Sequence, residues 1–346
     1  MRLLVLYEEL APYFLNSIKT FSEKYSASVL IISKSINPVA PFHFDSTSNS
    51  IQILNRENFH YQDLLQKIKE FGPNAVMQSG WVYRPYFDII KHLHLQHNIL
   101  LLDNQWIGSI KQCVGSVFFR LKYKALFQKA FVPGNKQKQF AAHLGFTDNN
   151  IETGFYCCDF NIFNEIYTIR EKQKVFDDKI LFIGRYAEEK NVQILYETFV
   201  ELCNENPELN YQLVCIGKGD LVPPQHSHII NLGFKQPEEL KTIMTSCKWV
   251  VLPSKFEPWG VVVQETCLAG LPIISSSKVG ANEFFVKDSQ NGFIFNPDNK
   301  EQLKHYLLKA MNMGESEYYT MSKRSREFAQ TITPNKWADK LFNLLK

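Results

Sequence analysis

An α/β protein with two parallel-sheet domains is the fold class this sequence predicts, on three observations. Short apolar runs alternate with helical stretches along nearly the whole chain, the pattern of a parallel sheet covered by helices on both faces. At 346 residues the chain is long for one core. A polar stretch near its middle, with no strong apolar period, offers the break between two domains.

In the first half, residues 3–7 read as a strand and residues 12–25 as a helix with Phe14, Leu15, Ile18 and Phe21 along one side. Residues 28–33 are a second strand, and residues 36–49 are loop-like, rich in Pro, Ser and Asn. A strand over 51–54, a helix over 61–71 closed by Gly72-Pro73 and a strand over 74–78 ending in Ser79-Gly80-Trp81 come next. A helix over 86–97 and a strand over 98–102 ending in Asp103 complete the readable part. Ligands of such sheets sit beyond the carboxyl ends of the strands.

Residues 118–131 stand out, because Arg120, Lys122, Lys124 and Lys129 alternate with large aromatics on a predicted helix. Two readings are open: an ordinary amphipathic helix with a solvated basic face, or an interfacial helix that meets anionic lipid.

Residues 161–178 are expected to connect the domains. Beyond them lies a strand ending in Gly184, where the chain is expected to turn tightly, with Arg185 and Lys190 bracketing the entry to a helix over 192–205. Two cations at a strand end beside a helix start can clamp a diphosphate, or be solvated surface charges. The next strand closes in Gly217-Lys218-Gly219, but Val222 stands where a dinucleotide fingerprint needs its third Gly. A short strand over 228–232 ends in Gly233-Phe234, and a helix follows over 238–247.

The central stretch is residues 249–276, read as strand, loop, helix and strand. Its helix, up to Ala269, has little polar face, and Glu265 is the misfit in it. Glu257 lies in the loop that feeds it, and the amides of Gly260, Val261 and Val262 lie near its start, where free donors attract anions. Two carboxylates beside an anion pocket suit a sugar nucleotide; a capping Glu257 with a surface Glu265 is the plainer alternative. Helices over 300–313, 322–330 and 334–345 end the chain.

Net charge is +3, too small to argue for a nucleic-acid partner. The seven cysteines form no C-x-x-C pair, so a reducing, cytoplasmic setting is expected. No apolar segment approaches a membrane span, which leaves peripheral contact at the inner face of a membrane as the expected form of any association.

Together, Gly184-Arg185 with Glu189-Lys190-Asn191, Gly217-Lys218-Gly219, Gly233-Phe234, the Glu257-x7-Glu265 spacing within Phe256-Glu-Pro258-Trp259-Gly260, Gly280 with Glu283 and Asn291-Gly292 resemble a known family. It is the donor-binding domain of family 4 retaining glycosyltransferases of the polysaccharide or glycolipid type, which have the GT-B fold. The resemblance covers about residues 179–300 and is fainter over 1–160, where Ser79-Gly-Trp81, Val132-Pro-Gly134 and Leu144-Gly145 carry it.

The resemblance implies two Rossmann-like domains facing each other across a cleft. Residues 1–160 would be the acceptor side, 161–178 the connection, 179–330 the nucleotide-sugar side, and 331–346 a helix crossing back. It implies metal-independent transfer from a UDP- or GDP-sugar to a saccharide or lipid-linked acceptor. Arg185 and Lys190 would hold the diphosphate and Glu257 the transferred sugar. Glu265 would accept from the ribose hydroxyls, and Gly233 and Phe234 would line the base pocket. Gly184, Gly217, Pro258, Trp259, Gly260, Val261 and Val262 would complete the donor site. Trp81, Arg84 and Asp103 are acceptor-side candidates from their place at strand ends. Two departures stand against the pattern: Glu8-Glu9 occupies the place of a Gly-rich loop after the first strand, and His43, His92, His94 and His97 are not placed as the family's histidine would be. The altered first-domain loops motivate a rival reading, a non-catalytic sugar-nucleotide-binding subunit, and a GT-B sugar-nucleotide epimerase is a third.

Overall fold

The computed structural model describes residues 1–35, 41–42 and 50–346, so most of the loop expected over 36–49, with His43, lies outside the described residues. The chain divides into two units: Met1–Cys158 with Ile332–Lys346, and Asp159–Thr331.

The first unit is a seven-stranded, all-parallel sheet. In chain order its elements are β1 (Arg2–Leu6), α1 (Pro12–Tyr25), β2 (Ser28–Ser33), β3 (Ile51–Asn55), α2 (Tyr61–Phe71), β4 (Ala75–Ser79), α3 (Arg84–Leu93), β5 (His97–Leu101), α4 (Ile110–Lys122), β6 (Lys129–Val132), α5 (Asn135–His143) and β7 (Ile151–Thr153). The strands lie in the order β3-β2-β1-β4-β5-β6-β7. Runs such as Leu3-Leu4-Val5-Leu6 are buried on both faces, which is why these strands read as continuous apolar segments rather than alternating ones.

The second unit holds α6 (Phe160–Gln173), β8 (Lys179–Ile183), α7 (Val192–Glu205), β9 (Gln212–Ile216), β10 (Ile229–Asn231), α8 (Leu240–Ser246), β11 (Trp249–Leu252), α9 (Val261–Leu268), β12 (Ile273–Ser276), α10 (Asn282–Phe285), β13 (Gly292–Phe295), α11 (Lys300–Met311) and α12 (Glu315–Ala329). Its six parallel strands are ordered β10-β9-β8-β11-β12-β13. In each sheet the winding reverses beside the first strand, between β1 and β4 in one and between β8 and β11 in the other. These are topological switch points, the places where open α/β sheets take their ligands.

The last helix, α13 (Pro334–Leu344), belongs to the first unit and packs along α1. Phe342 stacks on Tyr25 at 4.0 Å, Lys24 pairs with Asp339 at 2.6 Å, and the indole of Trp337 donates to the Phe155 carbonyl.

Four expectations change. Residues 161–178 are no linker: Asp159 caps α6 through the amides of Asn161 and Ile162, and the helix is part of the second unit. Its polar look misleads because Arg170 is buried, donating to the carbonyls of Met244 and Cys247 at 2.7 and 2.6 Å and to the Tyr318 hydroxyl at 2.7 Å. Residues 118–131 are not one helix either. α4 starts earlier and ends at Lys122, a single 3₁₀ turn covers Lys124–Leu126, and β6 follows, because Phe127, Ala130, Phe131 and Val132 go into the core. The helix expected to reach residue 97 stops at His94, in a left-handed conformation (φ +49°), so that β5 can begin at His97. The helix expected over 322–330 begins at Glu315. α5, β6 and β7, and the first turns of α4, were not legible in the sequence pattern.

Candidate functional site

The turns leaving β8, β9 and β10 are fused into one rim. Past the strand ends the Gly184 amide donates to the Ile216 carbonyl at 3.0 Å, and the Gly217 amide donates to the Gly233 carbonyl at 2.9 Å. The crossings are so close that a Cβ on Gly217 would fall 1.8 Å from the Gly184 oxygen, and one on Gly219 would fall 2.3 Å from that of Tyr186. Backbone contact, rather than a phosphate-binding fingerprint, accounts for that Gly-x-Gly. Gly184 lies outside the left-handed region, and a Cβ there would press on the Phe182 ring at 3.2 Å. Phe234 is half-buried just beyond Gly233.

From this rim the chain enters α7 through a 3₁₀ turn, Glu188–Lys190. Arg185 stays exposed and pairs with Glu189 at 2.7 Å. Lys190 turns inward and forms an ion pair with Glu257. The loop carrying Glu257 is tied on both sides. The Lys255 amide donates to the Glu189 carbonyl at 2.9 Å, while the Glu257 amide donates to Lys278 and its carbonyl accepts from Gly280, at 3.2 and 3.0 Å. The switch point therefore brings together a cation from the turn after β8 and an acid from the turn after β11.

Gly260 ends that loop as the N-cap of α9, in the left-handed region (φ +91°) with no side-chain cap. A Cβ there would lie 3.0 Å from Cγ of Glu257, so the glycine also makes room for the acid. As the first helical residues, Val261 and Val262 direct amides out of the helix start. Pro258 is half-buried; Trp259 is a core residue, its ring against Phe284 and Phe285 and its carbonyl accepting from Ala281 at 2.9 Å. The structure gives the Trp259 indole a packing role and leaves its backbone at the loop.

Glu265 lies about 6 Å along α9 from Val261 at the helical rise. Its polar neighbours are engaged: Gln264 donates to the Ala329 carbonyl at 3.0 Å and Thr266 to that of Val262 at 2.8 Å. Among the described residues no hydrogen bond or ion pair reaches the Glu265 carboxylate, although its side chain is only partly exposed. Desolvation, with the charge of Asp159 second, pushes this acid up to about 7. Asn282 fixes the turn after β12, accepting from the Ser275 hydroxyl and donating to the Ser276 carbonyl, each at 2.8 Å.

The first unit treats its three candidates differently. Trp81 packs on Phe119 and Phe140 at 4.9 and 5.6 Å and serves the core. Arg84 is exposed at the first turn of α3. Asp103 is exposed beyond β5 and accepts from the Tyr156 hydroxyl at 3.2 Å.

The sequence reading missed what fills the place of the Gly-rich loop. Glu8 forms a two-pronged pair with Arg56, both contacts at 3.0 Å, while its amide donates to the Ser79 hydroxyl at 2.9 Å. Arg56 also donates to the Tyr86 hydroxyl at 3.1 Å and lies 3.7 Å above the Tyr83 ring. The available signal was the pair of acids directly after β1. A second miss is an open groove of about 980 Å³ between α7 and residues 220–226, which shares no residue with the Lys190–Glu257 site.

Residues 165–328 match the family described as "Glycosyl transferases group 1". The chain is 28% identical over 159 residues to an uncharacterized glycosyltransferase, MJ1178, of Methanocaldococcus jannaschii; the match spans 44% of this chain and 43% of that relative. The chain spans about two fifths of the length of the curated relatives it matches. A glycosyltransferase structure from Rickettsia africae superposes with a TM-score of 0.76 at 13% identity, covering 100% of this chain and 97% of that one. Anabaena Alr3699/HepE, solved in complex with UDP, gives a TM-score of 0.74 at 13% identity over 99% of both chains. Residues 165–328 thus resemble a glycosyl transferases group 1 domain, and the two Rossmann-like units have the fold of GT-B glycosyltransferase structures.

Proposed function

We propose that the protein is a retaining hexosyltransferase that needs no metal. It would move a sugar from a UDP- or GDP-sugar to a saccharide or lipid-linked acceptor in building cell-surface polysaccharide or glycolipid, at the inner face of a membrane. The observation that carries this reading is the Lys190–Glu257 pair at the switch point, beside the first turn of α9, with Glu265, an acid without a partner among the described residues, farther along the same helix. The solved relative that holds UDP supports the nucleotide class.

In this reading the donor diphosphate draws Lys190 away from Glu257, and Arg185 leaves Glu189 to complete the clamp. Freed from its cation, Glu257 accepts from a sugar hydroxyl. The amides that open α9 add donors to the phosphates, and ionised Glu265 accepts from the ribose hydroxyls. Backbone at Gly233 and Phe234 lines the base. As the glycosidic bond breaks, charge gathers on the departing phosphate between two fixed cations, which oppose it without reorganising. That phosphate helps take the acceptor's proton on the same face, which retains configuration. Arg84 and Asp103, both exposed, are the acceptor-side groups.

A thermal-shift panel of UDP-, GDP- and ADP-sugars, followed by transfer of radiolabelled sugar to lipid extract, tests the proposal. Stabilisation by one donor and labelled product are expected, with turnover reduced at least about 100-fold in Arg185→Ala. Donor held without turnover would mean a binding subunit; donor converted with no acceptor present would mean an epimerase.

A further inference from the structure

α4 is oriented the wrong way round for a helix that meets only water. Of the eleven large apolar side chains exposed among the described residues, six lie between Ile107 and Leu121. Five are on the helix, at Ile110, Val114, Val117, Phe118 and Leu121, with Ile110 and Leu121 83% and 84% exposed. At helical spacing these five cover an arc of about 100°, the width of a face that a globular helix normally turns inward. The inner side is already engaged: Ser116 and Phe119 are buried, Phe119 lies against Trp81, and Ser109 caps the first turn at 3.2 Å from the Gln112 amide. The outward stripe is therefore a second apolar face on a helix firmly seated by its first.

Charge names the occupant. Lys111 and Lys122 flank one edge of the stripe and Arg120 the other, all exposed. Residues 104–147 carry seven Lys and Arg and no Asp or Glu. A second copy docked stripe to stripe would set these cations against each other. An anionic bilayer offers acyl chains to the stripe and headgroup phosphates to the flanks, the combination that holds a helix in the interfacial plane.

We infer that α4, with Ile107 at its entry, is an insertion surface that lays the first unit on an anionic lipid bilayer. The inference deepens the transferase reading, on which it rests for a lipid-borne acceptor; adsorption itself does not depend on transfer. It moves the lipid contact from residues 118–131 to the outward face of residues 107–122.

The full chain is sedimented with phosphatidylcholine vesicles, with and without phosphatidylglycerol. Binding is expected only with the anionic lipid, falling as salt rises. Val114→Asp with Leu121→Asp should weaken it at least about tenfold, and Lys111→Ala or Lys122→Ala by about fivefold each. An environment-sensitive dye on Cys113, exposed beside the stripe, should shift to the blue with anionic vesicles. Equal binding by the double Asp variant would overturn the inference. So would self-association in sedimentation velocity that the same variant abolishes, which would give the stripe to a second copy. Donor-induced thermal shift and transfer to a water-soluble acceptor are followed in parallel: if they persist while vesicle binding is absent, only the membrane inference falls, and if vesicle binding persists without them, only the transferase reading falls.

Discussion

The Lys190 ammonium and the Glu257 carboxylate, 67 positions apart in the chain, meet in an ion pair whose side chains are 15% and 16% exposed. Both are held by backbone ties, so neither has to be ordered from solution when the pair forms. Removing one partner takes from the other, largely buried charge its opposite ion.

Lys190→Ala and Glu257→Gln should therefore each cost about 1–3 kcal/mol of stability, with the double variant costing less than their sum. Denaturant unfolding of the four proteins gives the coupling directly. Strict additivity would show that the pair has no energetic meaning.

Glu265 gives a pH signature. Its carboxyl is raised from 4.5 to about 7, so the folded chain binds more protons than the unfolded one in that interval. Its contribution is complete below the unfolded value and is lost as pH rises through about 7. Glu265→Gln should flatten the decline of Tm between about pH 5 and 8, and be more stable by about 1–3 kcal/mol near pH 8, while losing donor binding. An unchanged pH slope would show that this acid titrates normally.

Gly217→Ala forces a methyl to within 1.8 Å of the Gly184 oxygen. A loss of more than about 3 kcal/mol is expected, or no folded protein. Gly115→Ala is the control, because a Cβ there meets nothing within 4 Å, and it should be neutral or stabilising by up to about 1 kcal/mol. Thermal unfolding of both variants is sufficient.

Arg170→Met keeps most of the buried volume but leaves the Met244 and Cys247 carbonyls without their donor. A loss of about 3 kcal/mol or more in chemical unfolding is expected. A neutral result would return residues 161–178 to the status of a connection.

The sheets were legible because strands buried on both faces are written as unbroken apolar runs, as at Leu3–Leu6 and Trp249–Leu252. Of the candidate site, only spacing was legible: Glu257 and Glu265 are eight residues apart in any conformation. That Lys190 faces Glu257 was not, since the contact depends on two loops being tied by backbone bonds that any residue can make. Trp259 stood among the donor-site residues through the resemblance, and an indole beside a glycine loop carries no mark that its ring goes into the core. The same limit hid Arg170, whose cost of burial is met by carbonyls at the end of a different helix. Tyr86 and Arg56 escaped because their partners, Tyr7 and Glu8, come from a distant strand end. β6 and β7 are too short, at four and three residues, to show a period.

The ownership of α13 has a practical corollary. Residues 159–331 are one uninterrupted cassette, open to excision or exchange at two peptide bonds. The other unit is written in two instalments, and a protein ended after residue 158 would strip Trp337 and Phe342 from the side of α1 that holds Phe14 and Tyr25. Recombination, natural or deliberate, meets the middle of this chain as one continuous block, but whoever borrows its beginning must also carry off its tail.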